Sequence, residues 1–165
     1  MKLCNIIFIE RRHSFDPRCQ NKKLVKYVDD RGFFSELVRD DENLLSEFGQ
    51  ASWSMSYPGV IKAFHYHELQ DDLWFFPSGQ AQVVLYDLRP DSPTYQETNV
   101  YYLGVDNPSL LLIPKMVAHG YRVLGNEPAT IIYFTTKSYN PNHPDEKRIP
   151  WDDPSIGFDW ETKNR

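Results

Sequence analysis

The chain has 165 residues, of which 41% are hydrophobic, 25% charged and 15% aromatic, and its formal net charge is −5. A chain of this length buries roughly 70% of the surface that its unfolded form exposes, which excludes disorder over most of it and any need for disulfide or metal staples. The mild acidic excess, without a basic block, argues against nucleic acid or an anionic membrane as the main partner but permits a local basic pocket.

Two cysteines, Cys4 and Cys19, lie near the N-terminus, and nothing in their number or spacing suggests a disulfide framework. The sequence shows no signal peptide and no apolar run near the roughly 18 residues that a membrane helix needs. We therefore expect a cytoplasmic protein. No repeat, low-complexity tract or linker divides the chain, so residues 1–165 are expected to form a single domain, with residues 1–23 as an N-terminal arm.

Short strand signals follow one another from residue 24 onward. Aromatic and β-branched residues, which suit a pleated surface, recur between turns that contain Pro and Gly. The predicted strands cover residues 24–27, 32–38, 50–56, 59–67, 73–76, 81–88, 99–103, 110–113, 121–124 and 130–136. One or two short helices are expected, the clearest over residues 41–48. Many short strands at this spacing predict an all-β fold of the double-sheet or barrel type, with the jelly roll among the leading candidates.

A histidine-rich stretch is the densest functional signal in the sequence. Alternation along the strand over residues 59–67 places His65 and His67 on the same face. Together with Asp72, and with His119 from a later strand, they could close around a divalent metal ion through imidazole and carboxylate ligands. The alternative is that these histidines are ordinary hydrogen-bonded strand residues, since a motif match is only a hypothesis.

Motifs along most of the chain resemble known sequences. The spacing of Gly59, His65, His67, Asp72 and Gly79 resembles the first motif of the cupin superfamily, and Pro114 and His119 echo the second. Further matches are DRGFFSE at residues 30–36, GVIKAFHYH at 59–67, YDLRPDSPTY at 86–95, IPKMVAHGY at 113–121, SYNP at 138–141 and WDDPSIGFDW at 151–160. Taken together, residues 30–160 resemble the dTDP-4-dehydrorhamnose 3,5-epimerase family.

This resemblance implies a fold, a reaction and a set of partners. The implied fold is a cupin jelly-roll β-sandwich, and the implied assembly is a homodimer that works without a cofactor. The implied reaction is epimerisation of a nucleotide-linked 4-keto-6-deoxy sugar, with a dTDP-sugar as the favoured substrate. Neither a nucleic acid nor a membrane is expected as a partner.

The resemblance also implies roles for individual residues. His65 is the base that removes the proton beside the ketone, and Tyr133 is the acid that returns a proton from the opposite face. The implied substrate-binding residues are Arg31, Glu36, Gln50, Lys62, His119 and Tyr139, with Arg31 often reaching the ligand from a partner subunit. From the residues alone, Tyr133 could equally be a core tyrosine, because aromatic strand residues usually pack.

Departures from the family's pattern keep other functions open. Asp72 stands where the family has a lysine that can stabilise an enolate, and His67 stands where it has a glutamine, which together restore the superfamily's metal-binding spacing. The family's base is oriented by an aspartate after the final tryptophan, for which Asp152, Asp153 and Asp159 are the candidates here. One alternative is a metal-dependent cupin acting on a sugar or carbonyl compound, with ligands His65, His67, Asp72 and His119. The other is a noncatalytic sugar-nucleotide-binding cupin.

Overall fold

The computed structural model describes residues 18–162, so residues 1–17 of the predicted N-terminal arm and residues 163–165 lie outside the described part. The strands in chain order are β1 Asn21–Lys23, β2 Tyr27–Asp29, β3 Gly32–Phe34, β4 Gln50–Ser56, β5 Ile61–His67, β6 Asp72–Ser78, β7 Gln80–Asp87, β8 Thr98–Gly104, β9 Ser109–Ile113, β10 Val117–Leu124, β11 Ala129–Thr135 and β12 Glu146–Arg148. One 3-10 turn, at Asp40–Glu42, is present in this described part of the chain.

The strands form two five-stranded sheets and one separate hairpin. Sheet I has the strand order β1, β9, β6, β11, β4, and sheet II has the order β12, β5, β10, β7, β8. Among the strands of residues 18–162, β2 and β3 pair with each other and with no other strand. Every strand pairing is antiparallel. The predicted all-β jelly-roll sandwich is therefore confirmed.

The main hydrophobic core lies between the two sheets, because alternate residues of the facing strands point inward. Trp74 and Phe76 of sheet I join Val83, Leu85 and Tyr121 of sheet II in one cluster. The rings of Phe76 and Tyr121 pack edge to face with their centroids 5.3 Å apart. All five residues lie in strands of seven or eight residues, which present enough alternating positions to cover the opposite sheet.

The sequence does not predict β1 or β12. Strand β1 pairs with β9 and strand β12 pairs with β5, each at the outer edge of its sheet. Each has only three residues, and their side chains are polar or charged. Charged side chains suit edge strands because they discourage pairing with further chains, but they carry no hydrophobic periodicity. Residues 21–23, expected in the N-terminal arm, therefore belong to sheet I.

The helix predicted over residues 41–48 is replaced by the 3-10 turn at Asp40–Glu42. No side chain caps this turn at Arg39, and Asn43 ends it in a left-handed conformation with φ of 51°. The three consecutive acidic residues of the turn also repel one another. Residues 18–162 contain no α-helix, and none of their helical segments is long and apolar enough to cross a membrane.

A buried ion pair fixes the loop that follows β7. Asp87 is 3% exposed and accepts hydrogen bonds from the backbone amide, Nε and Nη2 of Arg89 at 2.9, 2.7 and 2.7 Å. The hydroxyl of Thr94 donates a further hydrogen bond to Oδ2 at 2.7 Å. These contacts give Arg89 a structural role. An exposed copy of the pattern exists at Asp29, which accepts from the amide, Nε and Nη2 of Arg31.

The buried Asp87–Arg89 pair and the exposed Asp29–Arg31 pair allow a matched test of how burial changes the contribution of such a pair to stability. We expect Asp87→Ala to lower the free energy of unfolding by about 3 kcal/mol, because it removes a buried carboxylate that accepts three hydrogen bonds from Arg89 and one from Thr94. Asp29→Ala removes the corresponding three hydrogen bonds from Arg31 in water and should leave the urea midpoint unchanged within error. Equilibrium urea unfolding followed by tryptophan fluorescence measures both. Equal effects of the two substitutions would contradict the structural role of the buried pair.

Candidate active site

A cavity of about 1270 Å³ lies between the two sheets, on the side where β5 and β12 face β4, β6 and β11. The segment between β11 and β12, residues 136–145, covers part of its rim through Lys137, Tyr139 and Asn140. Histidine, tyrosine, tryptophan and charged side chains line it together with a few apolar ones. A large concave site with convergent polar groups is the usual form of a small-molecule site.

Three histidines and one aspartate form a cluster at this cavity, which we call the histidine–aspartate cluster: His65, His67, Asp72 and His119. The first three of them line the cavity. His65 and His67 lie two positions apart on β5 and point the same way, as predicted. His119 of β10 is the direct partner of His65 across the strand pair, and their ring centroids are 4.1 Å apart. Asp72 is the first residue of β6 and comes from the opposite sheet. One ligating atom from each residue lies within 4.8 Å of all the others.

The Asp72 carboxylate is held in place by two donors on its own strand region. Gln70 Nε2 donates to Oδ1 at 3.0 Å and Trp74 Nε1 donates to Oδ2 at 3.2 Å. His67 Nε2 lies 3.7 Å from Oδ1 and His119 Nε2 lies 3.6 Å from Oδ2. Burial alone would raise the pKa of Asp72, but the neighbouring histidines, His119 first, outweigh it and lower the pKa to about 2. Asp72 is therefore a buried anion.

His65 stays neutral over the whole physiological pH range. Burial, and after it the neighbouring His119, lowers the pKa of His65 to about 2. Its ring stacks on Trp74 at 6.0 Å between centroids and meets His119 at an angle of 66°. Burial also lowers the pKa of His67. A neutral imidazole that faces a cavity can accept a proton from a bound molecule.

The structure gathers most of the predicted site residues and leaves two apart. Those that line the cavity are Gln50, Lys62, His65, Tyr133 and Tyr139. His119 lies directly behind this wall and is 1% exposed. Arg31 is at the exposed tip of the β2–β3 hairpin, paired with Asp29, and Glu36 is exposed and paired with Arg39 at 2.8 Å. Within this chain, neither Arg31 nor Glu36 belongs to the residues that line the cavity.

Sequence reasoning missed two cationic residues of the cavity, Lys137 and Arg148. Arg148 lies on β12 as the partner of His65 in the strand pairing, and this strand was not predicted. Lys137 directly precedes the SYNP motif at residues 138–141. Its position beside this motif is the feature of the sequence from which Lys137 could have been predicted as a site residue. Both residues pair with carboxylates, Lys137 with Glu47 at 2.5 Å and Arg148 with Glu146 at 2.6 Å.

None of the three aspartates considered as partners of His65 lines the cavity in the described part of the chain. Asp153 accepts hydrogen bonds from the backbone amide and hydroxyl of Ser155 at 2.9 and 2.6 Å. Asp159 accepts from the amide of Glu161 at 2.9 Å. Asp152 is exposed. The orientation of His65 instead rests on the rings of Trp74 and His119.

A jelly-roll sandwich whose sheets enclose a large cavity lined by both apolar and polar side chains has the form of a protein that binds a small molecule. Over residues 20–165 the chain matches the family model of dTDP-4-dehydrorhamnose 3,5-epimerase, and it belongs to that family. It is therefore an epimerase, as the sequence predicts. Membership of this family brings no cofactor with it, in agreement with the expectation from sequence.

Relatives and solved structures agree with this assignment. The chain is 78% identical over 144 residues to the spore coat polysaccharide biosynthesis protein SpsL of Bacillus subtilis, covering 87% of this chain and 95% of SpsL. The dTDP sugar isomerase of Desulfovibrio desulfuricans superimposes with a TM-score of 0.79 at 33% identity, over 86% of this chain and 90% of that one. The 3,5-epimerase of Legionella pneumophila, solved with dTDP-4-keto-L-rhamnose, gives 0.78 at 30% identity, over 90% and 81%.

A substitution at Gly120 tests the close pairing of β5 with β10 on which the site depends. A Cβ at Gly120 would lie 2.6 Å from Ala63 Cα and 2.7 Å from the Lys62 carbonyl oxygen, and closer still to Ala63 Cβ. We expect Gly120→Ala to push β5 away from β10 and to cost about 1–3 kcal/mol of unfolding free energy. Adding Ala63→Gly removes only the side-chain clash and should recover part of that loss. A Gly120→Ala protein with the wild-type urea midpoint would contradict this close approach.

Proposed function

We propose that the chain epimerises a nucleotide-linked 4-keto-6-deoxy sugar, with a dTDP-sugar as substrate, through proton transfer by His65 and Tyr133. The observation that carries the proposal is their placement: His65 comes from sheet II and Tyr133 from sheet I, and both line the same cavity. Inversion at a carbon needs a base on one face of the sugar and an acid on the other. Two facing sheets supply these two directions.

His65 suits the role of the base. Its imidazole is neutral and makes no hydrogen bond within residues 18–162 that would occupy a ring nitrogen. Burial weakens it as a base by lowering its pKa, and the negative charge of Asp72 opposes that lowering. The proton it removes lies beside a ketone, so the negative charge moves to the ketone oxygen as an enolate. Such a charge requires a nearby positive group or hydrogen-bond donor.

Tyr133 suits the role of the acid. It lies in the middle of β11, between Ser52 of β4 and Trp74 of β6 in the register of sheet I. Its ring packs against the main core, while its side chain also reaches the cavity. Its hydroxyl has no hydrogen-bond partner within the described residues, so it is free to donate to a bound substrate. The packing and the catalytic interpretation of Tyr133 are therefore compatible.

Lys62 suits the diphosphate of the nucleotide. Its ammonium group donates to Ser54 Oγ at 3.3 Å and pairs with no carboxylate in residues 18–162, unlike the other two cations of the cavity. An ammonium without an internal anion is available for a phosphate oxygen. That the Legionella relative was solved with a dTDP-linked keto sugar supports the same class of ligand.

A homodimer is part of the proposal. Arg31 and Glu36 are outside the cavity of their own chain, and the hairpin that carries Arg31 exposes Val28, Phe33 and Phe34 at 74, 62 and 63%. Apolar surface of this kind marks an interaction site. A second copy seated on this hairpin would cover the apolar side chains and bring Arg31 near a neighbouring cavity. SpsL is named for the biosynthesis of a spore coat polysaccharide, and the proposed role of this chain is likewise in polysaccharide biosynthesis, in the cytoplasm.

Solvent exchange separates the two proposed proton-transfer residues. In D₂O, with a panel of nucleotide-linked 4-keto-6-deoxy sugars, we expect His65→Ala to lower deuterium incorporation at C3 or C5 by about 100-fold or more, because the base is gone. Tyr133→Phe should still allow incorporation from the His65 face but suppress the inverted product. NMR of the recovered sugar measures both the deuterium incorporation and the amount of inverted product.

His143→Ala is the matched control, since His143 also lines the cavity but is exposed and outside the proposed chemistry; it should exchange at the wild-type rate. Wild-type protein that exchanges no proton on any sugar of the panel would contradict the proposed reaction. Calorimetric binding of dTDP without exchange would then favour a noncatalytic sugar-nucleotide binder.

The proposed dimer is tested by charge on the hairpin. Phe33→Glu places a carboxylate in the proposed interface and should dissociate the dimer into monomers, because an unpaired charge there loses its solvation. Tyr102→Glu, at a residue 47% exposed on β8 at the edge of sheet II, should leave the mass unchanged. Light scattering after size-exclusion chromatography measures the mass. A wild-type protein with the mass of one chain would rule out this assembly.

A further inference from the structure

We propose that Asp145 is a positioning residue of the epimerase. Its carboxylate fixes residues 136–145, which we call the cover segment, above the cavity, and so holds Tyr139 where it contacts a bound nucleotide sugar. The role in binding rests on the proposed function, because the ligand concerned is the proposed nucleotide-linked sugar. The hydrogen bonds that fix the segment can be measured separately from the reaction.

The Asp145 carboxylate joins the end of the cover segment to the turn between β5 and β6. Oδ1 accepts a hydrogen bond from the backbone amide of Glu68 at 3.1 Å, and Oδ2 accepts one from the amide of Leu69 at 3.0 Å. The donors lie 77 and 76 positions away along the chain, so the contact is tertiary. Hydrogen bonds to an ionised acceptor are roughly twice as strong as neutral ones. The Asp145 side chain is 15% exposed, so water competes little for its oxygens.

The other end of the cover segment is anchored beside β4. Ser138 Oγ donates a hydrogen bond to the Gly49 carbonyl oxygen at 2.9 Å, and the Tyr139 amide donates one to Gln50 Oε1 at 3.0 Å. The Gln50 side chain is itself held, because its Nε2 donates to Ser52 Oγ at 2.9 Å. The segment therefore has one anchor at the start of β4 and a second at the β5–β6 turn.

The stretch between these anchors has no tie of its own to the two sheets among the described residues. Residues 140–144 are all exposed. Their hydrogen bonds stay within the segment, where the amides of Asn142 and His143 donate to Asn140 Oδ1 and to the Asn140 carbonyl oxygen at 3.0 and 3.2 Å. Exposed backbone with few buried contacts opens at low free-energy cost. The position of this stretch consequently depends on its two ends.

The cover segment carries a large share of the polar side chains at the cavity rim. Its members that line the cavity are Lys137, Tyr139, Asn140, His143 and Asp145. Tyr139 is 64% exposed, so its ring is placed by the backbone of the segment more than by packing. A change in the course of the segment would therefore move Tyr139 relative to a bound ligand.

Asp145 also places the end of the segment against the histidine–aspartate cluster. Its Oδ2 lies 3.8 Å from His67 Nδ1, and the His67 ring centroid lies 5.4 Å from that of His65. The second anchor is thus next to the proposed base, whereas the first is across the cavity on sheet I. A segment fixed at both places spans the cavity mouth and limits the access of water to a bound sugar.

Amide exchange in the full-length protein tests the anchor without reference to any ligand. In Asp145→Ala, the amides of Glu68 and Leu69 lose their acceptor and should exchange with D₂O about 10-fold faster or more. Asn142→Ala is the matched control, because Asn142 is exposed in the same segment, does not line the cavity and its side chain anchors nothing among the described residues. NMR measures the two rates. Wild-type rates in Asp145→Ala would overturn the anchor.

Steady-state kinetics test the role in positioning. With a sugar that the wild-type protein epimerises, Asp145→Ala should raise KM about 10-fold and leave kcat within about two-fold, because saturating ligand restores a binding-competent conformation that has become less populated. Asp145→Asn keeps one acceptor oxygen and should lie between, while Asn142→Ala should match the wild type. Circular dichroism establishes that the variants fold, and Asp145→Asn serves if Asp145→Ala does not.

Calorimetry with dTDP distinguishes failure of this inference from failure of the proposed reaction. Asp145→Ala should bind dTDP about 10-fold more weakly than the wild type, whether or not any sugar of the panel is turned over. Equal dTDP affinities, or a fall in kcat at unchanged KM, would overturn the positioning role. Absence of proton exchange in the wild type, with the difference in dTDP affinity intact, would contradict the reaction and support the role of Asp145.

Discussion

The close antiparallel pairing of β5 with β10 is the constraint on which the rest of the site depends. It makes His65 and His119 direct neighbours with ring centroids 4.1 Å apart. Gly120 permits this approach, because any side chain there would collide with the backbone of β5. The register also shifts between the His119 and Tyr121 pairs, so that β5 carries an extra residue. Irregularities of this kind often re-aim side chains beside a site.

Asp72 sets the electrostatics of the cavity. A buried carboxylate is unfavourable unless neighbouring groups compensate its charge, and Gln70 and Trp74 supply only neutral donors. A reaction that develops negative charge beside it would be opposed by the same carboxylate. Within residues 18–162, the histidines of the cluster lower the pKa of Asp72, and Lys62, which lines the same cavity, is a cation that pairs with no carboxylate.

Much of the fold followed from patterns in single segments. The bounds of β4 agree with the predicted strand 50–56, and the other long strands agree within a few residues. Strands β1 and β12 escaped prediction because three charged or polar residues have no periodicity, although edge hydrogen bonds suffice to hold them. The predicted helix at 41–48 failed since its acidic start lacks a cap and Asn43 turns left-handed.

The features of the site also fall into those that the sequence predicted and those that only the structure located. By itself the sequence determined the sheet architecture, the family, the shared direction of His65 and His67, and Tyr133 as a residue of interest, because alternation and motif order are local properties of the chain. The sequence also suggested that Asp72 and His119 join the two histidines, and the structure brings the four together. Only the tertiary structure decided that Lys137 and Arg148 reach the cavity and that Arg31 and Glu36 of the same chain do not. Those placements depend on strand register and on how two sheets pack, and both are set by contacts between residues far apart in sequence.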